Sequence, residues 1–202
     1  MKREALRLYL VSDPRYPLAP SQLEALARAG VSMVQLRDKE AEGRALLETA
    51  RRWLRVLRPL GVPLIVNDRV DVAAAAGADG VHLGQSDLPV KAARRILGEG
   101  PIIGLSLERP DAEDEGADYV AASPVFPTPT KTDTSEPLGL DGLRLLCERV
   151  RVPVVGIGGL RPDNAGEVMS AGAAGVAVVS AILGADDPVT ATRTLRARID
   201  AH

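Results

Sequence analysis

Eight short apolar runs recur along the chain, and they restrict its fold more than any other feature. Most of them lack polar alternation, which is typical of strands that are buried on both faces of a sheet. Segments with helical periodicity lie between most of the runs; residues 43–57 show it most clearly, with Trp53 anchoring the apolar face. The eight runs are residues 8–11, 33–36, 64–66, 81–83, 102–105, 119–122, 154–157 and 176–179. This order predicts an α/β fold with a parallel sheet.

A weak internal repeat favours a closed arrangement of these strands. Gly30, Gly77, Gly116 and Gly172 each end a predicted helix and lead into an even-numbered strand. Four copies fit the quarter-turn units of a single-domain (βα)8 TIM barrel over residues 1–202, with brief third and fifth helices. An open doubly wound sheet is the competing fold. It needs no eighth strand, however, and the glycine fingerprint that usually follows its first strand is missing here.

Composition and charge exclude several classes of function. The 25 basic and 27 acidic residues are spread through the chain, so nucleic acid is not an expected partner. A single cysteine, Cys147, rules out a disulfide framework, and we interpret it as a buried thiol in a helix. Residues 171–185 are too short and too rich in glycine to span a membrane, and no signal pattern opens the chain. We expect a cytoplasmic protein without a membrane partner, and the sequence leaves open whether it forms a homo-oligomer.

Polar residues concentrate at the predicted carboxyl ends of the strands, where a barrel places its active site. After the second strand, alternation puts Gln35, Arg37 and Lys39 on one side and Leu36 on the other. The chain has only four Lys against 21 Arg, and two of the four Lys fall at strand ends. The other polar residues at these ends include Asn67, Asp68, Gln85, Asp87 and Ser106. We interpret this cluster as the place where the chemistry occurs.

Two turns near the end of the chain suggest a phosphate site. Gly158 and Gly159 follow the seventh strand, and Val179 and Ser180 lead from the eighth strand into a short helix. In TIM barrels, these two loops commonly hold a phosphate on backbone N–H groups. The alternative is that the glycines only permit a tight turn. For the two glycines considered alone, this would be the better interpretation. Together with the Val179–Ser180 turn, the phosphate interpretation is favoured.

Asp68 and Asp87 are a candidate magnesium pair. Mg2+ usually takes one or two protein carboxylates and completes its shell with water and phosphate oxygens. Each aspartate also precedes a predicted helix, residues 70–76 or 89–97, and each taken alone is better explained as a helix cap. Because they follow neighbouring strands and lie beside cations, we favour a site for a metal and a diphosphate.

The loop after the sixth strand combines hydroxyl groups, prolines and a lysine. Residues 128–135 could form only a solvated connection, which is the usual role of such a composition. Alternatively, Thr128 and Lys131 suit a segment that wraps a diphosphate. Groups for proton transfer are scarce, since His202 is terminal and His82 is more typical of a packed barrel histidine than of a base. A reaction governed by charge stabilisation, such as departure of pyrophosphate, fits these residues better than acyl transfer.

Five stretches of the chain, in order, carry a known pattern: residues 8–13, 34–39, 66–70, 80–87 and 124–131. With Gly158, Gly159, Val179 and Ser180, they resemble the thiamine phosphate synthase family over nearly the whole chain. The resemblance implies a (βα)8 transferase that joins 4-amino-2-methyl-5-pyrimidinylmethyl diphosphate to 4-methyl-5-(2-phosphoethyl)thiazole. Such an enzyme releases pyrophosphate and forms thiamine monophosphate, so its partners are these two small molecules.

The resemblance also implies roles for individual residues. The pyrimidine diphosphate would be held by Gln35, Leu36, Arg37, Asp38, Lys39, Asn67, Ser106 and Lys131. The thiazole phosphate would be received by Thr128, Pro129, Thr130, Gly159, Val179 and Ser180, with Gly158 beside them in the same turn. Mg2+ would be the cofactor, bound by Asp68 and Asp87. We expect the catalytic residues to be Arg37, Lys39, Ser106 and Lys131.

The chain departs from the family pattern at two places. Leu107 and Glu108 follow Ser106 where the family often has a small residue and a histidine, and Ser123 stands where glycine is frequent. Two alternative functions remain: a thiazole tautomerase of the same fold, and a non-catalytic protein that binds thiamine precursors. The retained aspartates and cations disfavour the second alternative, because a sensor has no pyrophosphate to discharge.

Overall fold

The computed structural model describes residues 3–128 and 136–202. Within them, eight parallel strands close into a barrel in sequence order, with the last strand paired to the first. The strands are β1 Leu8–Val11, β2 Met33–Leu36, β3 Leu64–Asn67, β4 Gly80–Leu83, β5 Ile102–Leu107, β6 Tyr119–Ala122, β7 Val154–Ile157 and β8 Gly175–Val178. The closed barrel confirms the predicted (βα)8 fold, and the open doubly wound alternative is wrong.

Helices surround the barrel in the described part of the chain. They are α1 Pro20–Ala29, α2 Gly43–Leu57, α3 Val70–Ala76, α4 Val90–Leu97, α5 Gly139–Arg149, α6 Ala165–Ser170, α7 Ser180–Leu183 and α8 Pro188–Asp200. Two 3-10 turns, Arg3–Leu6 and Arg58–Leu60, precede β1 and β3. The predicted amphipathic helix is α2, and Trp53 on its apolar face is 5% exposed, as expected for an anchor.

Two separate apolar layers hold the barrel together. The larger layer lies between strands and helices and is built mainly from Leu, Val and Ala side chains. The smaller layer contains residues such as Tyr9, Met33, Ile65 and Tyr119, and it fills the barrel interior. Because neighbouring strand residues point to opposite sides, most of the short strands contribute to both layers without exposing either face.

The connection between β5 and β6 differs from the prediction. Residues 108–118 form turns rather than a brief fifth helix, so Gly116 follows a turn and not a helix, although its φ of 83° is left-handed. Pro110 and a run of acidic residues give this segment neither a helical start nor an apolar face to pack. The predicted third helix is brief, as expected: α3 has seven residues.

Two predictions from composition concern the thiol and the membrane. Cys147 is half-buried on α5, and burial raises the pKa of its thiol to about 11. Across residues 3–128 and 136–202, none of the helices combines the length and the apolar character that a membrane crossing requires. The cytoplasmic location stays a prediction.

Candidate active site

A cavity of about 650 Å3 opens at the carboxyl ends of the strands. Its lining draws on the ends of most of the strands, which is where the polar clustering in the sequence predicts the site. The structure brings together these predicted residues: Gln35, Arg37, Lys39, Asn67, Asp68, Asp87, Ser106, Thr128, Gly158, Gly159, Val179 and Ser180. Three other predicted residues, Pro129, Thr130 and Lys131, lie outside the described residues.

The end of β2 supplies two cations to the cavity. The Arg37 backbone N–H donates to the Ser12 hydroxyl over 2.8 Å, so the end of β1 holds this segment in place. Neither Arg37 nor Lys39 forms a salt bridge with any residue in the described ranges, although both side chains line the cavity. Both charges act on Asp68, and that of Arg37 also acts on Asp13, but without salt-bridge contact, so both cations are able to bind an anion at this edge.

Leu36 and Asp38 are not among the residues that line the cavity, and their assignment to substrate binding stays a prediction. Leu36 packs in the layer between strands and helices. The Asp38 carboxylate accepts backbone N–H groups from Glu40 at 3.1 Å and Ala41 at 3.0 Å, and so it shapes the loop. The cause is the strand alternation that sends Gln35, Arg37 and Lys39 inward.

Asp68 and Asp87 are neighbours in the cavity, and neither is a helix cap. Helix α3 begins after Arg69 and α4 after Pro89, in both cases without a side-chain cap. Asp87 instead accepts the Gly84 backbone N–H at 2.6 Å through Oδ2. Asp68 has a left-handed φ of 60°, a conformation that aspartate adopts more readily than most residues. The cap interpretation is therefore wrong for both residues.

The electrostatics of the pair fit a cation. Burial, followed by the hydrogen bond and charge of Asp87, raises the pKa of Asp68 to about 6, against the lowering effect of Lys39 and Arg37. Two carboxyl groups in contact need a proton or a cation between them. Within the described ranges, no group of three or more His, Cys, Asp or Glu residues could hold a metal ion. Two carboxylates completed by water and phosphate oxygens suit Mg2+, which rarely has an all-protein shell.

The raised pKa of Asp68 predicts an unusual pH dependence of stability in metal-free protein. Because the folded state binds this proton more tightly than the unfolded state does, the free energy of unfolding should fall as pH rises from 4.5 to 7.5. Because this carboxyl is only half-buried, solvent screening reduces the expected contribution to about 1 kcal/mol. Urea unfolding in EDTA measures it, and Asp68→Asn should remove it. Asp71→Asn is the control, since that exposed carboxylate pairs with Arg69; an unchanged slope in Asp68→Asn would contradict the prediction.

The glycine turn after β7 lies against the loop after β6. Gly158 and Gly159 have left-handed φ angles of 99° and 64°. A Cβ on Gly158 would approach the Pro124 Cβ to 2.5 Å, and one on Gly159 would approach the Pro127 carbonyl oxygen to 2.6 Å. Asn164 fixes the turn by donating to the Gly159 carbonyl over 3.0 Å. The tight turn is thus real, and both glycines also line the cavity.

The start of α7 lies at the same edge as the glycine turn. Val179, Ser180 and Ala181 line the cavity, and Val179 caps α7 rather than ending β8. The first amides of a helix have no partner inside the helix. Backbone donors from two loops therefore border the part of the cavity at β7 and β8, which β1 separates from the cations of β2.

Sequence reasoning missed several cavity residues. Arg161 adds a positive charge to the lining, and Glu108 adds a negative charge. Ser123, which is 8% exposed, adds a hydroxyl group. The alternation that selected Arg37 would also have selected Glu108, two residues after Ser106. His82 is 6% exposed, which confirms it as a packed histidine, but it also reaches the cavity.

Comparisons with known proteins agree on one family. Residues 8–182 match the family model described as thiamine monophosphate synthase. The chain is 52% identical over 202 residues to a thiamine-phosphate synthase of Azorhizobium caulinodans, covering 96% of this chain and 95% of that protein. It is 47% identical to the enzyme of the same name from Chloroflexus aurantiacus, over 96% and 92% of the two chains.

A solved structure is similar over almost the whole length. The thiamine phosphate pyrophosphorylase from Pyrococcus furiosus superposes with a TM-score of 0.90 and 37% identity, covering 98% of each chain. A 3-hexulose-6-phosphate synthase, at 21% identity and a TM-score of 0.63, shares the fold alone. The matched family model, the identities near one half and the shared barrel lead to one conclusion: this chain belongs to the thiamine monophosphate synthase family.

Proposed function

We propose that this transferase joins the pyrimidine diphosphate to the thiazole phosphate, giving thiamine monophosphate and pyrophosphate. The observation that carries the proposal is that one cavity contains two separate sets of groups suited to anions. Arg37, Lys39 and the two aspartates lie at one edge, and backbone donors of the Gly158–Gly159 turn and of the start of α7 lie at the other. The names of the relatives support the same reaction.

The pyrimidine diphosphate would bind at the edge formed by β2, β3 and β4. Arg37 and Lys39 are free to contact its phosphate oxygens, because neither side chain is paired within the described residues. By resemblance to the family, Lys131 would add a third cation. Asp68 and Asp87 would hold Mg2+, which supplies charge neutralisation for the diphosphate as it leaves.

The thiazole phosphate would bind at the edge formed by β7 and β8. The amides of Gly159 and Ser180 are suited to a phosphate, as is common after these strands in TIM barrels. Arg161 lies next to this edge and adds a positive charge. The two substrates would then meet over the middle of the cavity, with their anionic groups held apart.

The proposed chemistry exchanges one bond for another and needs no general base. The bond between the methylene carbon and the diphosphate oxygen breaks, and the diphosphate keeps the electron pair. The electron-rich aminopyrimidine stabilises the methylene cation, and the thiazole nitrogen forms the new carbon–nitrogen bond. Arg37 and Lys39 stabilise the charge that grows on the departing group.

The direct test mixes both substrates with the full chain and Mg2+. Formation of thiamine monophosphate with an equal amount of pyrophosphate is the expected result, and EDTA should suppress it. Binding of both substrates without product would instead assign the chain as a sensor.

A second experiment separates the proposal from tautomerisation on the same fold. At the start of the loop after β6, this chain has Ser123, Pro124 and Val125, none of which is an acid–base group. Moving a double bond in a carboxylated thiazole needs a proton donor and acceptor. We expect negligible acceleration when isomers of the thiazole carboxylate phosphate are followed by NMR. Fast isomer exchange without pyrophosphate release in the synthase assay would reverse the assignment.

A further inference from the structure

Five side chains form a continuous hydrogen-bonded row across the barrel interior. Gln35 Nε2 donates to the Tyr9 hydroxyl over 2.8 Å, and the Tyr9 and Tyr119 hydroxyls are 2.9 Å apart. Tyr119 then contacts His82 Nδ1 at 2.9 Å, and His82 Nε2 contacts the Ser106 hydroxyl at 2.9 Å. The row joins β2, β1, β6, β4 and β5, and it ends in the cavity at a predicted substrate-binding residue.

The packing around the row is tight enough to fix its geometry. Tyr9 and Tyr119 are 1% and 0% exposed, and burial raises the pKa of both phenols, so each carries its proton. Their rings meet edge to face at 6.0 Å, and Tyr119 stacks on His82 at 5.6 Å. Gly104 leaves the space that this contact needs, because a Cβ there would overlap both Tyr119 and His82 Nδ1.

Counting protons gives the row a direction. The Gln35 amide nitrogen can only donate, so Tyr9 accepts from it. Among the described residues, the remaining partner of the Tyr9 hydroxyl is Tyr119, and Tyr9 satisfies its own proton by donating there. Tyr119 must then donate to His82 Nδ1, which leaves the imidazole proton on Nε2, facing Ser106. With the Gln35 amide in this orientation, the reverse direction would leave the buried Tyr9 proton without an acceptor.

We propose that Tyr9 and Tyr119 are positioning residues, which lock His82 in its Nε2–H tautomer and so make Ser106 a hydrogen-bond donor toward the cavity. With its oxygen accepting from His82, Ser106 turns its own proton to the ligand. The ligand atom at this point is therefore an acceptor, such as an unprotonated ring nitrogen or a phosphate oxygen. The link to a pyrimidine substrate rests on the proposed function, whereas the tautomer does not.

The tautomer is measured first, without any substrate. The chain has two histidines, and His202→Gln leaves only His82 for 15N NMR of the labelled imidazole at pH 8. We expect a protonated Nε2 and a bare Nδ1. A protonated Nδ1 would overturn the proposal. It would mean that the Gln35 amide is turned over and that every hydrogen bond in the row runs in the other direction.

Tyr119→Phe removes the hydroxyl that holds Nδ1 and should yield a mixture of tautomers. Tyr119 does not line the cavity, so an effect on substrate must pass through His82. In the active enzyme we expect the KM of the pyrimidine diphosphate to rise about tenfold, the factor that one oriented hydrogen bond of about 1.4 kcal/mol gives. The KM of the thiazole phosphate should stay within twofold of the wild-type value.

Two further tyrosine variants complete the experiment. Tyr9→Phe leaves the Tyr119 donor in place and should raise the pyrimidine KM only about threefold, the factor given by about 0.65 kcal/mol. Tyr16→Phe alters the third tyrosine, which lies outside the row, and serves as the matched control. An unchanged tautomer in Tyr119→Phe, or equal losses for both substrates, would assign the row a structural role only. If the chain lacked synthase activity but showed the Nε2–H tautomer, the proposed function alone would fail.

Discussion

Asp87→Asn is expected to lower turnover about a thousandfold, which corresponds to about 4 kcal/mol of transition-state stabilisation. The amide keeps an oxygen that can accept the Gly84 N–H, so the loop that Asp87 orders should survive. The substitution removes only the negative charge next to Asp68. Since that charge contributes to the raised pKa of Asp68, its loss should leave the melting temperature of metal-free protein unchanged or higher. A large loss of turnover without a loss of stability is the signature of a metal ligand.

Asp187→Asn is the matched control for this experiment. The exposed Asp187 carboxylate also accepts backbone N–H groups, from Val189 and Thr190, but it does not line the cavity. We expect its turnover to remain within threefold of the wild-type rate, because a surface change of this kind alters stability by about 0.5 kcal/mol or less. Steady-state assays with both substrates over a range of Mg2+ concentrations compare the two variants. Asp87→Asn turnover within tenfold of wild type at saturating Mg2+ would refute the assignment.

Local patterns in the sequence were sufficient to predict the barrel and part of its candidate site. Continuous apolar runs reveal strands buried on both faces, and a count of eight favours closure. Alternation along one strand correctly separates Arg37 and Lys39 from Leu36, because side-chain direction in a strand is a property of adjacent residues. The absence of a helix at residues 108–118 shows the limit of this reasoning. A copy of the repeat can have the expected glycine and still lack the helix that precedes this glycine in the other copies.

The role of the two aspartates could not be decided from sequence. An aspartate a few residues before a helix has the same local pattern whether it caps that helix or faces a neighbouring strand. The distinction depends on where each helix begins, and both α3 and α4 begin without help from Asp68 or Asp87. The left-handed backbone at Asp68 is equally invisible in the sequence, because other residue types, notably asparagine, also adopt it.

The buried row from Gln35 to Ser106 is the feature least accessible to sequence reasoning. Tyr9 and Tyr119 are separated by 110 positions, and each lies in an apolar run where a tyrosine looks like ordinary core. Their contact depends on the closure of the barrel and on a glycine in a third strand. Such a network is specified by tertiary packing, so it emerges only from coordinates.

Gly104→Ala should lower the free energy of unfolding by about 3 kcal/mol, near the upper end of the cost of overpacking a core. The added methyl group would overlap the Tyr119 ring and His82 Nδ1. Tyr119 is fully buried, and both ring nitrogens of His82 are hydrogen-bonded, so neither side chain can move away easily. For a chain of this length, such a loss lowers the melting temperature by roughly 6–12 °C. Thermal unfolding followed by circular dichroism measures the shift.

Gly100→Ala provides the comparison, because it makes the same chemical change where a Cβ would meet no atom within 4 Å. Its melting temperature should lie within about 2 °C of the wild-type value. At a temperature where Gly104→Ala is still folded, we expect its pyrimidine KM to rise as in Tyr119→Phe, since both changes separate Tyr119 from His82. If Gly104→Ala melted at the wild-type temperature, the Tyr119 and His82 side chains would not approach each other as closely as the hydrogen-bonded row requires.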